Sequence, residues 1–160
     1  MATPREILHD YNIRPQKKLG QSFLVDVNTI HKIGAACLVS VDDIVVEIGA
    51  GIGILTGEIS RIARKVIAVE IDRRLVDILN DQFSQTSNVD IHTGDILKFD
   101  FTSKSMECNS KLKVIGNVPY NISSPVIFHL LSHRSAISSF TLMLQKEVVE
   151  RLVSPPDVKT

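Results

Sequence analysis

Four short stretches carry residue types that could do chemistry. "VVEIGAGIG" (45–53) places Gly49, Gly51 and Gly53 directly after an apolar run, with Glu47 two residues upstream of the first glycine. Glycines there let the chain turn tightly and let a ligand come close to the main chain. Glu70 closes "KVIAVE" (65–70), 21 residues beyond Gly49, where a carboxylate can accept both hydroxyls of a ribose. Asp95, in "GDIL" (94–97), is placed to accept a hydrogen bond from an adenine amine, with Ile71 and Ile96 able to cover the faces of the ring. Together these point to an adenosine-containing cofactor, against the blander reading of three ordinary turns.

The fourth stretch, "KVIGNVPYNIS" (113–123), runs from a hydrophobic strand into Asn117, Val118, Pro119 and Tyr120. Alone it would read as a turn. Beside a bound methyl donor it has a chemical meaning. Transfer from a sulfonium is an in-line displacement on an already activated electrophile, so the protein has mainly to orient the nucleophile. An aromatic amine is a poor nucleophile because its lone pair is delocalised. Acceptors for its protons, the Asn117 side-chain oxygen and the Val118 carbonyl, would turn that lone pair toward the methyl group. Pro119 would fix the backbone that aims the carbonyl, and Tyr120 would stack on the base, which must be unpaired or flipped out to reach such a pocket.

The identity of the cofactor turns on two positions. A dinucleotide-binding loop wants its third glycine at position 54, and Ile54 stands there. Glu47 would oppose a pyrophosphate and suit a cationic sulfonium or ammonium. Both favour S-adenosylmethionine over NAD.

These residues need a scaffold that brings strand ends together. "DIVVEI" (43–48), "KVIAVE" (65–70), "VDI" (89–91), "LKVIG" (112–116) and "FTLMLQ" (140–145) are strand-like. Helical spacings lie between them: Val27, Ile30, Ile33 and Cys37 after Asp26; Leu55, Ile59 and Ile62; Leu75, Ile78 and Leu79 after Asp72; Ile127, Leu130 and Leu131 after Ser124-Pro125; and a last helix over 146–153. Such alternation predicts an α/β fold with a doubly wound, mostly parallel sheet. Residues 98–110 read as a surface loop, and 1–20 as a basic arm outside the core, preceding a domain over 21–160. The apolar "FTLML" has no following strand, which suggests either a chain truncated at its C-terminus or a last strand placed inside the sheet.

At 160 residues, 44% hydrophobic and 22% charged, the chain suits one globular domain, and its 18 basic and 18 acidic residues impose no charged partner. Local basic clusters remain at Arg14, Lys17 and Lys18, at Arg61, Arg64 and Lys65, and at Arg73 and Arg74. Cys37 and Cys108 lack metal-type spacing, and no apolar run has signal-peptide or transmembrane length, so the expectation is a cytoplasmic protein with free thiols, no membrane partner and no metal; a monomer is expected separately.

Taken in order, "RPQKKLGQSFL", "EIGAGIG", "VIAVEID", "GDIL", "GNVPYNISSP" and "LMLQKEVVERL" resemble the ribosomal RNA adenine dimethyltransferases, in the small-subunit group, which are related to the erythromycin-resistance methylases of large-subunit RNA. The resemblance implies a Rossmann-like domain that uses S-adenosylmethionine to methylate twice the exocyclic amines of two adjacent adenines near the 3′ end of small-subunit rRNA, on an assembling subunit. It implies cofactor contacts from Ser22 and Leu24, Gly49 and Gly51 beside the methionine portion, and Glu70, Asp95 and Asn117 in the site. It gives Arg14, Lys17 and Lys18 to RNA phosphates. Ser22 departs from the family's asparagine or histidine, which shortens that side-chain contact. The family also runs past Thr160 with further strands, a second aromatic motif and a helical domain, so the expectation for this chain alone is weak or absent methyl transfer. A non-catalytic RNA-binding assembly factor and a large-subunit methylase remain as alternatives.

Overall fold

Runs of Val and Ile have little freedom about their branched side chains and pack well on a pleated surface. Here they form five strands. A computed structural model describes residues 3–14, 16, 21 and 26–155. The strands are β1 (Ile44–Ile48), β2 (Lys65–Glu70), β3 (Val89–Thr93), β4 (Leu112–Asn117) and β5 (Ile137–Met143). All pair in parallel, in the order β3-β2-β1-β4-β5. The chain builds outward from β1 to β3, then reverses to lay β4 on the other side of β1. A crevice at the carboxyl ends of β1 and β4 is the usual ligand position of such a sheet.

Helices α1 (Pro4–Asp10), α2 (Val27–Ala36), α3 (Ile54–Ser60), α4 (Arg73–Phe83), α5 (Phe101–Glu107), α6 (Ser123–Ser132) and α7 (Lys146–Val153) complete the fold. Because side chains alternate along a strand, β1 feeds two cores. Ile44, Val46 and Ile48 join Ile67, Val69, Leu112 and Val114 under Phe101, Val126 and Leu130 of α5 and α6. Val45 joins Val66 and Ile115 under Ile30, Leu55 and Ile59 of α2 and α3. Both faces of the sheet are covered, as the doubly wound expectation requires.

Three sequence expectations change. The 98–110 loop contains α5: the Asp100 carboxylate accepts from the Ser103 backbone N–H at 2.9 Å and starts the helix. Seven residues are too few for a stable isolated helix, so the fully buried Phe101, worth about 2 kcal/mol of transfer free energy, holds it to the sheet. Within the expected arm, residues 4–10 are helical. Thr3 and Glu6 form a reciprocal capping box, and Ile7 packs with Ile52, Leu75 and Ile78. Finally, β5 begins at Ile137 rather than 140 and pairs only with β4, so it lies at the sheet edge among the described strands and not inside the sheet.

Candidate functional site

At the crevice between the two halves of the sheet lies a cavity of about 400 Å³. Its walls include Gly49, Gly51, Glu70, Ile71, Asp95, Ile96, Asn117, Val118, Pro119 and Tyr120. Four successive strand ends therefore converge, and these ten expected site residues come together. Ser22, Leu24, Lys17 and Lys18 lie outside the described residues; Arg14 is exposed.

The glycine loop takes its shape from backbone torsions that L side chains rarely adopt: φ is +66° at Gly49, +62° at Gly51 and +79° at Gly53. Gly49 and Ala50 both donate to the Val69 carbonyl, at 2.9 and 3.2 Å, which ties the loop to β2. The Gly51 N–H donates to Glu70 Oε2 at 2.8 Å. Glu70 Oε1 in turn accepts from the Ile71 and Asp72 N–H groups, each at 2.9 Å. A carboxylate offers about four lone-pair sites; three of Glu70's are filled by backbone. One remains, fewer than the two that both hydroxyls of a ribose would take.

Asp95 starts a short 3-10 turn over Ile96–Lys98 by accepting from the Leu97 N–H at 3.0 Å through Oδ1. Its place on the cavity wall follows from that turn. Ile96 beside it is buried, whereas Ile71, which also lines the cavity, is half exposed.

Asn117 is the last residue of β4, and the Val118 N–H donates to the Met143 carbonyl at 3.1 Å, which keeps the chain in register with β5 through the corner. Pro119 then turns the backbone with a trans peptide, and its carbonyl accepts from Ser123 Oγ at 3.0 Å. Tyr120 opens a second 3-10 turn over Tyr120–Ile122, lines the cavity and is 54% exposed. Helix α6 starts at Ser123, one residue before the expected cap, because Ser123 is engaged with Pro119 and that turn feeds directly into the helix.

The reading of Glu47 changes. It points to the α2/α3 side of the sheet, into a cavity of about 60 Å³ behind the glycine loop. There it is buried and accepts from Thr56 Oγ1 at 2.5 Å. Burial pushes its carboxyl up to about 8, with the nearby Glu70 charge acting in the same direction. A group neutral at pH 7 behind the loop supplies no charge to a sulfonium.

Two residues of the site escaped the sequence reading. Gln21, beside the quoted Ser22, lines the cavity, and Asp72, read only as a helix cap, is buried and accepts from the Gln21 amide at 2.9 Å. A polar residue two positions after a strand-ending acid was the signal available for Asp72. Among the described residues no group of three or more His, Cys, Asp or Glu side chains is placed to hold a metal, and no helix is long and apolar enough to cross a membrane.

Comparison with known proteins gives concordant matches. The family model described as ribosomal RNA adenine dimethylase matches residues 12–160. The chain is 44% identical over 160 residues to ribosomal RNA small subunit methyltransferase A of Syntrophus aciditrophicus, covering 99% of this chain and 57% of that one. It is 46% identical over 146 residues to the protein of the same name from Pseudomonas fluorescens, covering 91% and 53%. Thus it spans a little over half the length of these curated relatives. Among solved structures, a dimethyladenosine transferase from Plasmodium falciparum superposes with a TM-score of 0.73 at 34% identity, over 84% of this chain and 47% of that one. The 23S rRNA methyltransferase ErmE superposes with a TM-score of 0.70 at 29% identity, over 81% and 50%. The fold is that of the Rossmann-like methyltransferases.

Proposed function

The chain belongs to the ribosomal RNA adenine dimethylase family, and from that premise we propose that it is the catalytic part of an enzyme that transfers methyl groups from S-adenosylmethionine to the exocyclic amines of two adjacent adenines near the 3′ end of small-subunit rRNA, during subunit assembly. The observation that carries the reading is the convergence of Gly51, Glu70, Asp95 and Asn117 on one cavity. Relatives named for the small subunit support the choice of RNA.

The residues fit the cofactor. Gly49 and Gly51, the two left-handed glycines that line the cavity, leave its wall without side chains there. Glu70 keeps one acceptor site for a ribose hydroxyl. Asp95 faces the cavity beside the apolar Ile96, a combination suited to a flat ring with an exocyclic amine. When bound, S-adenosylmethionine supplies a methyl group on a positively charged sulfur. The chain's own task is then orientation: Asn117 and the Val118 carbonyl accept from the target amine, Tyr120 stacks on its base, and Arg14 with Lys17 and Lys18 meets RNA phosphates. No proton has to move before attack.

The likeness to ErmE favours one second reading, an adenine methylase of large-subunit rRNA. Methyl transfer to immature small subunits and to protein-free large-subunit RNA, each with this chain and with a chain extended at its C-terminus, separates the two. We expect label in small-subunit adenines, strong with the extended chain and weak with the 160 residues alone. Exclusive labelling of large-subunit RNA would move the assignment. Calorimetric titration gives the cofactor: binding of NAD without response to S-adenosylmethionine would overturn the reading.

A further inference from the structure

Glu70 has one acceptor site left, and a ribose presents two hydroxyls. Gln21 supplies a second partner. Its side chain lines the same cavity as Glu70 and Ile71. Gln21 Oε1 accepts from the Gln16 backbone N–H at 2.8 Å, and Nε2 donates to Asp72 Oδ2 at 2.9 Å. An amide nitrogen has two hydrogens. Asp72 takes one, and the other is available to a hydroxyl lone pair.

Asp72 is built to hold that amide still. Its side chain is 4% exposed, and Arg74 grips both oxygens, Nη2 to Oδ2 at 2.6 Å and Nε to Oδ1 at 3.1 Å. Oδ1 also caps α4 by accepting from the Arg74 N–H at 3.1 Å. The Arg74 guanidinium, with Gln21 assisting, holds the Asp72 carboxyl below the usual carboxylate range. Meanwhile the Asp72 backbone N–H donates to Glu70 Oε1. One residue therefore fixes both Glu70 and Gln21, the first through its main chain and the second through its side chain.

Resting on the S-adenosylmethionine reading above, we infer that the cofactor ribose is shared between Glu70 and Gln21, with one hydroxyl donating to the carboxylate and the other accepting from the Gln21 amide, and that Asp72 is the positioning residue for this pair. Gln21 then contributes to specificity for a ribose with both hydroxyls. The glycine loop and Asp95 are untouched by this division, since they face other parts of the ligand.

The test is calorimetry of the 160-residue chain with S-adenosylhomocysteine and with its 2′-deoxy and 3′-deoxy analogues. Gln21→Ala should weaken S-adenosylhomocysteine by about 3- to 10-fold, the worth of one hydrogen bond. It should also become nearly insensitive to loss of one of the two hydroxyls while staying sensitive to loss of the other. Asp72→Asn keeps the helix start, because asparagine caps as well as aspartate, yet cannot receive Arg74 and Gln21 together. It should lose affinity in the same direction, with no further loss in the double variant. A purely structural role would weaken all three ligands by one common factor, and that result overturns the inference, as does an unchanged affinity in Gln21→Ala. Absence of any binding by the unsubstituted chain overturns the cofactor reading and this inference with it.

Discussion

Gly51 N–H and Glu70 Oε2 stand 2.8 Å apart across 19 residues of chain, so the loop after β1 is fastened to the end of β2 by a cavity-lining carboxylate. Glu70 accepts three backbone donors through two oxygens. Glu70→Gln replaces one of those oxygens with an amide that donates. At least one buried N–H then loses its acceptor, at a cost of about 1–3 kcal/mol. We expect a lower melting temperature together with weaker S-adenosylmethionine binding. Retention of both would show that the loop is held by its contacts to Val69 alone.

Asp95 separates structure from recognition. Asp95→Asn keeps an oxygen for the Leu97 N–H and so preserves the turn, but under the proposed assignment it alters what faces the adenine amine. Melting should be nearly unchanged. Affinity for S-adenosylmethionine should fall by about 1–3 kcal/mol in a calorimetric titration, and Asp95→Ala should lose as much affinity plus some stability.

Asn117→Ala, in a chain extended at its C-terminus, should cut methyl transfer to immature small subunits while leaving S-adenosylmethionine affinity close to its original value. Steady-state kinetics beside equilibrium titration check this. Equal loss in both measurements would contradict a role in orienting the target amine.

Glu47 makes stability depend on pH. Its carboxyl is raised from the ordinary 4.5 to about 8 by burial. Between those values the folded chain holds a proton that the unfolded chain has released, so this contribution to stability is full below about pH 4.5, is lost as pH rises toward 8 and levels off above. Glu47→Gln keeps an acceptor for Thr56 and removes the titration. Denaturant unfolding should find the variant more stable than the parent at pH 9, on the order of 1–4 kcal/mol, and close to it at pH 5. Parallel pH profiles for the two would contradict the assignment.

Gly53 has φ of +79°, and a Cβ built there would sit 2.7 Å from Phe83 Cε2 and 2.8 Å from Leu79 Cδ2. Gly53→Ala should cost roughly 1–3 kcal/mol by combining backbone strain with crowding against α4. Thermal denaturation measures it.

Most of the sheet was legible because parallel strands buried on both faces read as continuous Val and Ile runs, as "DIVVEI" and "KVIAVE" do. The start of β5 was not, since Ser138 and Ser139 carry no apolar signal; Ser139 is fixed by pairing with Lys113 of β4 and Ser138 through its hydroxyl, which donates to the Leu112 carbonyl. Helix α5 was hidden for a similar reason: serine and threonine between Phe101 and Cys108 dilute its periodicity, and burial of Phe101 decides the outcome. In the site, Glu70 and Asn117 were readable as candidates because each ends a strand, and Asp95 because it starts the turn two residues after one. Gln21 was not, because its meaning lies in a contact with Asp72, 51 residues away. The charge expected of Glu47 failed on a matter of side: alternation along β1 turns it away from the large cavity.

The reversal of the chain after β3 divides labour along the sequence. Gly49, Gly51, Glu70 and Asp95 all precede residue 100, while Asn117, Val118, Pro119 and Tyr120 all follow it, and the two groups meet only at the crevice. Under the proposed assignment, donor recognition and acceptor choice are encoded in consecutive segments. A lineage could revise which nucleotide it modifies by rewriting the second segment, and inherit the machinery for its methyl source intact.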